Sequence, residues 1–211
     1  MCKTLQDSLN TFLLSFVIAR ILLSTDSKLQ HTNALLLLSF CFIQLSDALL
    51  HLAIQKNWTN FNYFVSKFIV PLILFSEIPL MYYATYRLTE KRNIAFEYIY
   101  GTLCVLGFIH YIMSCNELTI QGKDGFLIWC NNPIRNTWGK LLFFFGIIWA
   151  TYYYPFNIYK VILYFILTIT FVYTFSTDTF GSGWCHFANS LSVAWLLVYM
   201  FQKYMGLKNS K

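Results

Sequence analysis

Long uncharged stretches alternate with short polar connections along the whole chain. The longest contains 24 consecutive residues without a formal charge, between Asp178 and Lys203. A bilayer core takes about 20 apolar residues per helical crossing, and a charge at its centre costs about 2.5 to 3.5 kcal/mol on insertion scales. Comparable stretches lie within residues 28–47, 97–117, 140–160 and 160–178. The pattern predicts a protein whose solvent is lipid.

The apolar segments, bounded by charges, prolines and polar turns, predict seven membrane-spanning helices. The fifth and sixth are divided only by Pro155, Phe156 and Asn157, but together they are too long for one crossing. A count of six stays open if the first segment, which carries Arg20, lies along the membrane interface. We expect an all-α, polytopic bundle that forms a single transmembrane domain over residues 1–211. The predicted helices are 8–24, 31–55, 62–87, 94–114, 138–156, 158–176 and 184–204.

Composition agrees with the pattern and removes other classes of protein. The chain is 57% hydrophobic and 20% aromatic, with only 11% charged residues, against about 25% in soluble domains. The net charge of +6 is spread over short connections, so it does not predict nucleic-acid binding. The first apolar run contains Arg20 and lacks a convincing small-residue cleavage site, so we expect it to remain as a signal anchor.

The distribution of Lys and Arg predicts the orientation. Six of these residues fall on the side shared by the N-terminus and the 115–137 connection, and nine fall on the other side. Positive charge marks the cytoplasmic face. We therefore expect the N-terminus outside or in a lumen and the C-terminus in the cytoplasm, in a secretory-pathway, plasma or virion membrane.

The connections assigned to the outer side contain a modification sequon and two cysteines. Asn57-Trp58-Thr59 is an N-glycosylation sequon, which makes Asn57 the glycosylation candidate. Cys115 and Cys130 both fall in the long outer connection, where an oxidising compartment would let them form a disulfide. Free thiols throughout remain the alternative, because six cysteines fit no recognised framework.

The second helix carries the densest group of polar residues: Gln44, Ser46, Asp47 and His51. Asp47 and His51 are four residues apart, so they share a helix face and can form a carboxylate–imidazole pair. Such a pair could orient the imidazole or share a proton. The alternative is a hydrogen-bonded strut that only fixes helix packing.

The third helix carries an acid between two prolines. Glu77 lies between Pro71 and Pro79, each of which removes a helical hydrogen bond and predicts a kinked or broken helix. An acid beside irregular helix is typical of ion and solute pathways. The structural alternative is that Glu77 pairs with Arg20 or Arg87.

Three of the four histidines are predicted at similar depths on the outer side. His186 and Asn189 open the seventh helix three residues apart, and His110 lies near the outer end of the fourth. Convergence of His51, His110 and His186 would make a zinc or proton-relay site. We expect no cofactor, with zinc on these histidines as the alternative.

Two segments carry a resemblance to a known family. The letters IQLSDALL at 43–50 and GSGWCHFAN at 181–189 resemble an uncharacterised family of multi-pass proteins from large DNA viruses and single-celled eukaryotes. That family reads I-Q-x-x-[DE]-A-L-x-W in helix 2 and G-S-x-W-C-W-x-A-N in the tail. Here His51 stands near an aromatic position and His186 replaces a tryptophan. The resemblance implies a membrane protein, with a viral source as one reading, and no activity.

Ser46, Asp47, His51 and His186 are also partly similar to the alkaline ceramidase and adiponectin-receptor superfamily, which has seven helices and an intramembrane zinc. The late H-x-x-x-H pair of that superfamily is absent here, and Ser46 is five residues from His51 instead of four. A zinc-dependent lipid hydrolase is therefore the alternative function.

The sequence as a whole favours a non-enzymatic membrane protein with a polar pathway or pocket inside the bundle. The expected site consists of Gln44, Ser46, Asp47, His51, Glu77, His186 and Asn189. We expect membrane lipids, a small solute or ion and a second copy of the chain as partners, and no nucleic acid. A structural viral membrane protein without a pathway is the third reading.

Overall fold

The computed structural model describes residues 3–122, 125–130, 137–177 and 180–206. Within them lie seven helices and one short two-stranded hairpin. The helices are α1 (Leu5–Leu23), α2 (Lys28–Gln55), α3 (Thr59–Thr89), α4 (Ile94–Ser114), α5 (Thr137–Ala150), α6 (Ile158–Thr177) and α7 (Phe180–Tyr204), and the strands are β1 (Ile120–Gln121) and β2 (Leu127–Ile128).

The prediction of an all-α fold built from long apolar helices is confirmed. By length and composition, five described helices can cross a membrane, namely α1, α2, α3, α4 and the 184–204 part of α7. The apolar part of α6, Ile158–Thr174, and α5 are shorter. Four basic residues that entered the predicted orientation, Lys123, Arg135, Lys208 and Lys211, lie outside the described residues.

Side-chain caps explain where several helices begin. The Thr4 hydroxyl accepts a 3.1 Å hydrogen bond from the Asp7 amide, and the Asn93 side chain accepts one of 3.0 Å from the Phe96 amide. Such caps satisfy amides that have no partner inside the helix. The helix predicted at 94–114 is observed with those bounds, because its cap residue directly precedes it.

The fifth helix ends at Ala150, so the predicted end at residue 156 is wrong. Pro155 disfavours helical backbone in the residue before it, and the Tyr154 amide instead closes a turn onto the Thr151 carbonyl at 3.1 Å. The Lys160 ammonium then donates to the carbonyls of Tyr152 and Tyr154, at 3.0 and 2.8 Å. The chain between α5 and α6 is therefore a closed turn outside either helix.

The third helix stays continuous, so the predicted break is not observed. It contains a π-helical turn at Val65–Ile69, in which the Val70 amide bonds the Val65 carbonyl. Pro71 follows directly and has no amide hydrogen to give the Lys67 carbonyl. The missing donor explains why the irregularity takes the form of a π turn, a feature common at functional sites.

The second helix is the centre of the bundle. In the most apolar window of α2, 67% of residues are buried, against 17% in α4. Helices α1, α3 and α7 all pack on α2, while α4 exposes large apolar side chains such as Tyr98 and Met113. Polar residues on α2 therefore face other helices, whereas the outside of the bundle is apolar.

Two polar contacts show that α1 and α7 run in the same direction. The Asn189 amide donates to the Thr11 hydroxyl at 3.0 Å, and the Ser15 and Ser192 hydroxyls lie 2.8 Å apart. The contacts advance together along both helices. Small polar residues are typical of such close helix pairs in membranes.

Candidate functional site

The connection between α4 and α5 folds over one end of the bundle. Its strands β1 and β2 pair antiparallel, with Ile120 opposite Ile128. Cys115 and Cys130 lie at disulfide distance with their Cα atoms 5.5 Å apart, a separation typical of a disulfide. The predicted cysteine pair is therefore brought together. We call the described residues 115–122 and 125–130 the cap.

A buried polar cluster fastens the cap to α3. The Asn62 side chain donates to the Thr119 carbonyl at 2.9 Å and accepts from the Thr119 amide at 3.1 Å. The Ser66 hydroxyl donates to Asn62 at 3.0 Å and lies 2.7 Å from the Thr119 hydroxyl. All three residues are buried. The cap is thus held as a folded part of the bundle.

A tryptophan of the cap reaches an acid in the central helix. The Trp129 indole nitrogen donates a 3.1 Å hydrogen bond to Asp47 Oδ1. Asp47 Oδ2 accepts no hydrogen bond from the described residues. Asp47 precedes the end of α2 at Gln55 by about 12 Å of helix. The acid therefore lies inside the bundle, beneath the cap.

The neighbours of Asp47 on α2 differ from the sequence prediction. His51 is buried and has a partner, but neither oxygen of Asp47 accepts a hydrogen bond from its imidazole. The Ser46 hydroxyl is buried and donates to the Ile43 carbonyl of its own helix at 2.8 Å. Gln44 contacts α7, where its Oε1 lies 3.0 Å from the Cys185 sulfur.

Glu77 is buried in the interior, and its predicted pairing with Arg20 or Arg87 is wrong. Both arginines are exposed. Neither carboxyl oxygen of Glu77 has a partner among the described residues at the distance and angle of a hydrogen bond. The Trp184 indole interacts with this carboxyl.

Trp184, whose indole interacts with Glu77, packs among three other aromatic rings. The Trp184 ring stacks on Phe187 at 4.8 Å between centroids and meets Phe40 and Phe143 edge to face at 5.4 and 5.1 Å. Trp184 lies within the 181–189 motif and directly precedes Cys185. Adjacent residues of α7 therefore contact Glu77 of α3 and Gln44 of α2, which places these two polar groups at a similar depth.

The convergence of His51, His110 and His186, which the alternative zinc or proton-relay site requires, is not observed. His51 is buried, while His110 and His186 are exposed. In the described part of the chain, no three His, Cys, Asp or Glu side chains are grouped so that they could hold a metal ion. Asn189 also leaves the predicted site, because its amide donates to Thr11 of α1 at 3.0 Å.

A second buried polar cluster, which the sequence reasoning missed, lies at the opposite end of the bundle. The Gln30 amide donates to the Tyr159 hydroxyl at 2.8 Å, and this hydroxyl donates to Gln202 at 2.8 Å. Asn33 donates to Gln30 at 3.2 Å and accepts from the Tyr154 hydroxyl. The cluster joins α2, α6 and α7. Because its polar side chains hydrogen-bond to one another, its role is structural.

The cap residues Trp129 and Thr119, and Asn62 of α3, which binds the cap, were also missed. The one available signal was that the connection contains an apolar stretch, Leu127-Ile128-Trp129, directly before a cysteine. A solvated connection has no reason to hold three large apolar residues in a row. That stretch marks a segment that folds back onto the protein.

Fold and site together define a class of protein. It is a helical bundle with an apolar exterior and two acids buried in its interior, and a cap that contains a cysteine pair at disulfide distance lies over one of these acids. Comparison of the chain with family models, with curated proteins and with solved structures found no match.

Proposed function

We propose that this chain is an integral membrane protein in which Asp47 and Glu77 bind and release protons within a pathway for a small solute or ion. The exposed apolar side chains and the five long apolar helices support the membrane location. Buried polar groups in such a bundle mark substrate or proton pathways, because they are costly elsewhere in lipid.

The Glu77 carboxyl carries this proposal. It is buried, and no described residue lies at the distance and angle of a hydrogen bond to either of its oxygens. An isolated buried carboxylate costs far more than its neutral acid. A purely structural acid would be paired, as Glu97 is with Arg92 at 2.7 Å. Glu77 is therefore expected to carry a proton at rest and to lose it only when water or a cation enters.

The helices around Glu77 favour a role in movement. Its helix α3 contains the π turn at Val65–Ile69. Pro79, two residues after Glu77, has no amide hydrogen to give the Phe75 carbonyl. Backbone carbonyls freed in this way can bind ions or water only where they line a cavity. The acid thus lies beside helix segments that can supply further oxygen ligands.

We further propose seven crossings with the N-terminus outside and the C-terminus in the cytoplasm. The parallel contacts of α1 with α7 require both helices to cross in the same direction. The Lys140 ammonium at the start of α5 donates to the Thr174 carbonyl near the end of α6 at 3.0 Å, so these helices are antiparallel. The pair therefore enters and leaves the bundle on one side, as two full crossings do.

In this orientation the cap faces the outside. Trp129 closes the outer end above Asp47, so opening of the Trp129–Asp47 contact would admit water or solute to the acid. An oxidising compartment on that side agrees with the disulfide-distance pair Cys115 and Cys130. Asn57 is exposed in the turn between α2 and α3 on the same side; its glycosylation remains a prediction.

Proton flux in liposomes tests the proposal. The purified chain is reconstituted with a pH-sensitive dye inside, and a potassium diffusion potential drives protons inward. We expect flux above that of empty liposomes, lost in Glu77→Gln and reduced at least tenfold in Asp47→Asn. Asp26→Asn and Glu90→Gln, which change exposed acids, are the matched controls and should retain the flux.

Two results would contradict the proposal. Wild-type liposomes no more permeable than empty ones, with and without a panel of small solutes, would leave a structural membrane component as the better reading. Equal flux in Glu77→Gln and wild type would remove this acid from the pathway. About one zinc per purified chain, lost in His51→Ala, would instead support the lipid-hydrolase alternative.

A further inference from the structure

A groove opens between α1 and α7 at the end of the bundle opposite the cap. Its cavity has a volume of about 430 Å³ and is lined by Ile21, Leu196, Tyr199, Met200, Lys203 and Tyr204. Five of these side chains present apolar or aromatic surface. Lys203 supplies the one cation among them, and none of the lining residues is acidic.

The charge around the groove fits an anionic occupant. Arg20 is exposed on α1 directly before Ile21. The described residues at this end include seven Lys and Arg residues against three acids, Asp26, Glu90 and Glu97. Basic pockets between membrane helices on the cytoplasmic side are typical binding sites for anionic lipid headgroups.

We propose that the groove binds a phospholipid with an anionic headgroup. The acyl chain lies along Ile21, Leu196 and Met200, and the phosphate contacts the ammonium of Lys203. The tyrosine rings of Tyr199 and Tyr204 lie beside the headgroup, at the depth where amphipathic rings are favoured in a bilayer. A zwitterionic lipid fills the same apolar surface but gains less from the lysine, so the site distinguishes headgroups by charge.

This inference rests on the membrane location proposed above and is independent of the buried acids. Loss of proton flux would therefore not affect it, and Glu77→Gln should keep the lipid preference. Conversely, a chain without lipid preference could still conduct protons.

Lipid titration of the purified full chain tests the site. Phosphatidylglycerol and phosphatidylcholine with identical acyl chains are added in detergent, and bound lipid is counted by native mass spectrometry. We expect tighter binding of phosphatidylglycerol. Lys203→Gln should weaken it about fivefold, as expected for one lysine near a charged headgroup, with little change for phosphatidylcholine. Lys28→Gln changes an exposed lysine at the same end, outside the groove, and should have a smaller effect.

A second pair of variants tests the apolar part of the groove. Leu196→Trp fills it and should lower binding of both lipids, whereas Leu197→Trp adds the same ring at an exposed neighbour outside the lining and should not. Equal binding of the two lipids to the wild type would overturn the proposal. Equal effects of Lys203→Gln and Lys28→Gln would also overturn it, because binding would then follow general surface charge.

Discussion

The indole nitrogen of Trp129 donates a 3.1 Å hydrogen bond to Asp47 Oδ1 across 82 residues of sequence. The contact joins the cap to the central helix α2 and occupies one of the two carboxyl oxygens. Both side chains are buried. The position of the cap and the state of this acid are therefore coupled, since neither can change without changing the environment of the other.

Replacement of Trp129 by phenylalanine should destabilise the protein by about 1–3 kcal/mol, because both oxygens of the buried Asp47 then lack a donor. The free energy of unfolding is measured by titration with a denaturing detergent. Trp138→Phe changes an exposed tryptophan and should be close to neutral. In a double-mutant cycle with Asp47→Ala, which removes the acceptor, additive effects would show that the hydrogen bond contributes nothing.

Replacement of Asn62 by alanine should release the cap from α3. The variant leaves the amide and carbonyl of Thr119 without their buried partners, and each unsatisfied group costs about 1–3 kcal/mol. Hydrogen exchange of the amides at 115–122 should become faster, while exchange in α2 stays slow. Asn10→Ala, at an exposed residue, serves as the control. Unchanged exchange at Thr119 would mean that other contacts hold the cap.

Much of the helical fold could be predicted from the sequence because charges and prolines interrupt the apolar segments. Asn93 and Pro155 show the two kinds of boundary. The helix start at residue 94, which Asn93 caps, was predicted correctly. The effect of Pro155, in contrast, extends several residues back into a tyrosine run that hydropathy alone classes as apolar. A helix end inside such a run depends on the turn chemistry and not on hydropathy.

The site could be predicted only in part. Asp47 and Glu77 were found because an acid inside an apolar segment is visible in the sequence itself. Their partners were not, because the donor to Asp47 is 82 residues away in a connection without periodicity. His186 was placed in the site although it is exposed, while its neighbours Cys185 and Phe187 are buried. Choosing between adjacent residues of a helix requires knowing which face meets the bundle.

Removal of the cysteine pair should destabilise the cap. The bridge between Cys115 and Cys130 closes a connection of 15 residues, for which chain entropy predicts about 3 kcal/mol of stabilisation. The variant Cys115→Ser with Cys130→Ser should unfold at a correspondingly lower denaturant concentration, and added reductant should lower the wild type by at least as much. The control Cys104→Ser removes a free cysteine. A wild type that does not respond to reductant would contradict the bridge.

Tyr159→Phe should loosen the end of the bundle opposite the cap. The Tyr159 hydroxyl accepts from the Gln30 side-chain nitrogen and donates to the Gln202 side-chain oxygen, so its loss removes the bond made by each of these two atoms and should cost about 1–3 kcal/mol. Tyr152→Phe, at an exposed tyrosine, is the matched control. The difference in thermal unfolding temperature between the two variants measures the effect, and equal temperatures would show that water replaces the hydroxyl without cost.

Gly146 is required for close packing of α5 on α4. A Cβ atom at this position would overlap the ring of Tyr100, which is buried and stacks on Phe96 at 5.1 Å. The ring cannot turn away freely, so Gly146→Ala should cost about 1–3 kcal/mol through overpacking. At Gly101 a Cβ would meet open space, so Gly101→Ala should be neutral or stabilising by up to about 1 kcal/mol. Tyr100→Leu removes the ring that the new Cβ would overlap. In the Tyr100→Leu background, Gly146→Ala should therefore cost much less stability than it does in the wild type. Absence of recovery in this unfolding experiment would mean that the glycine is needed for its backbone and not for the space it leaves.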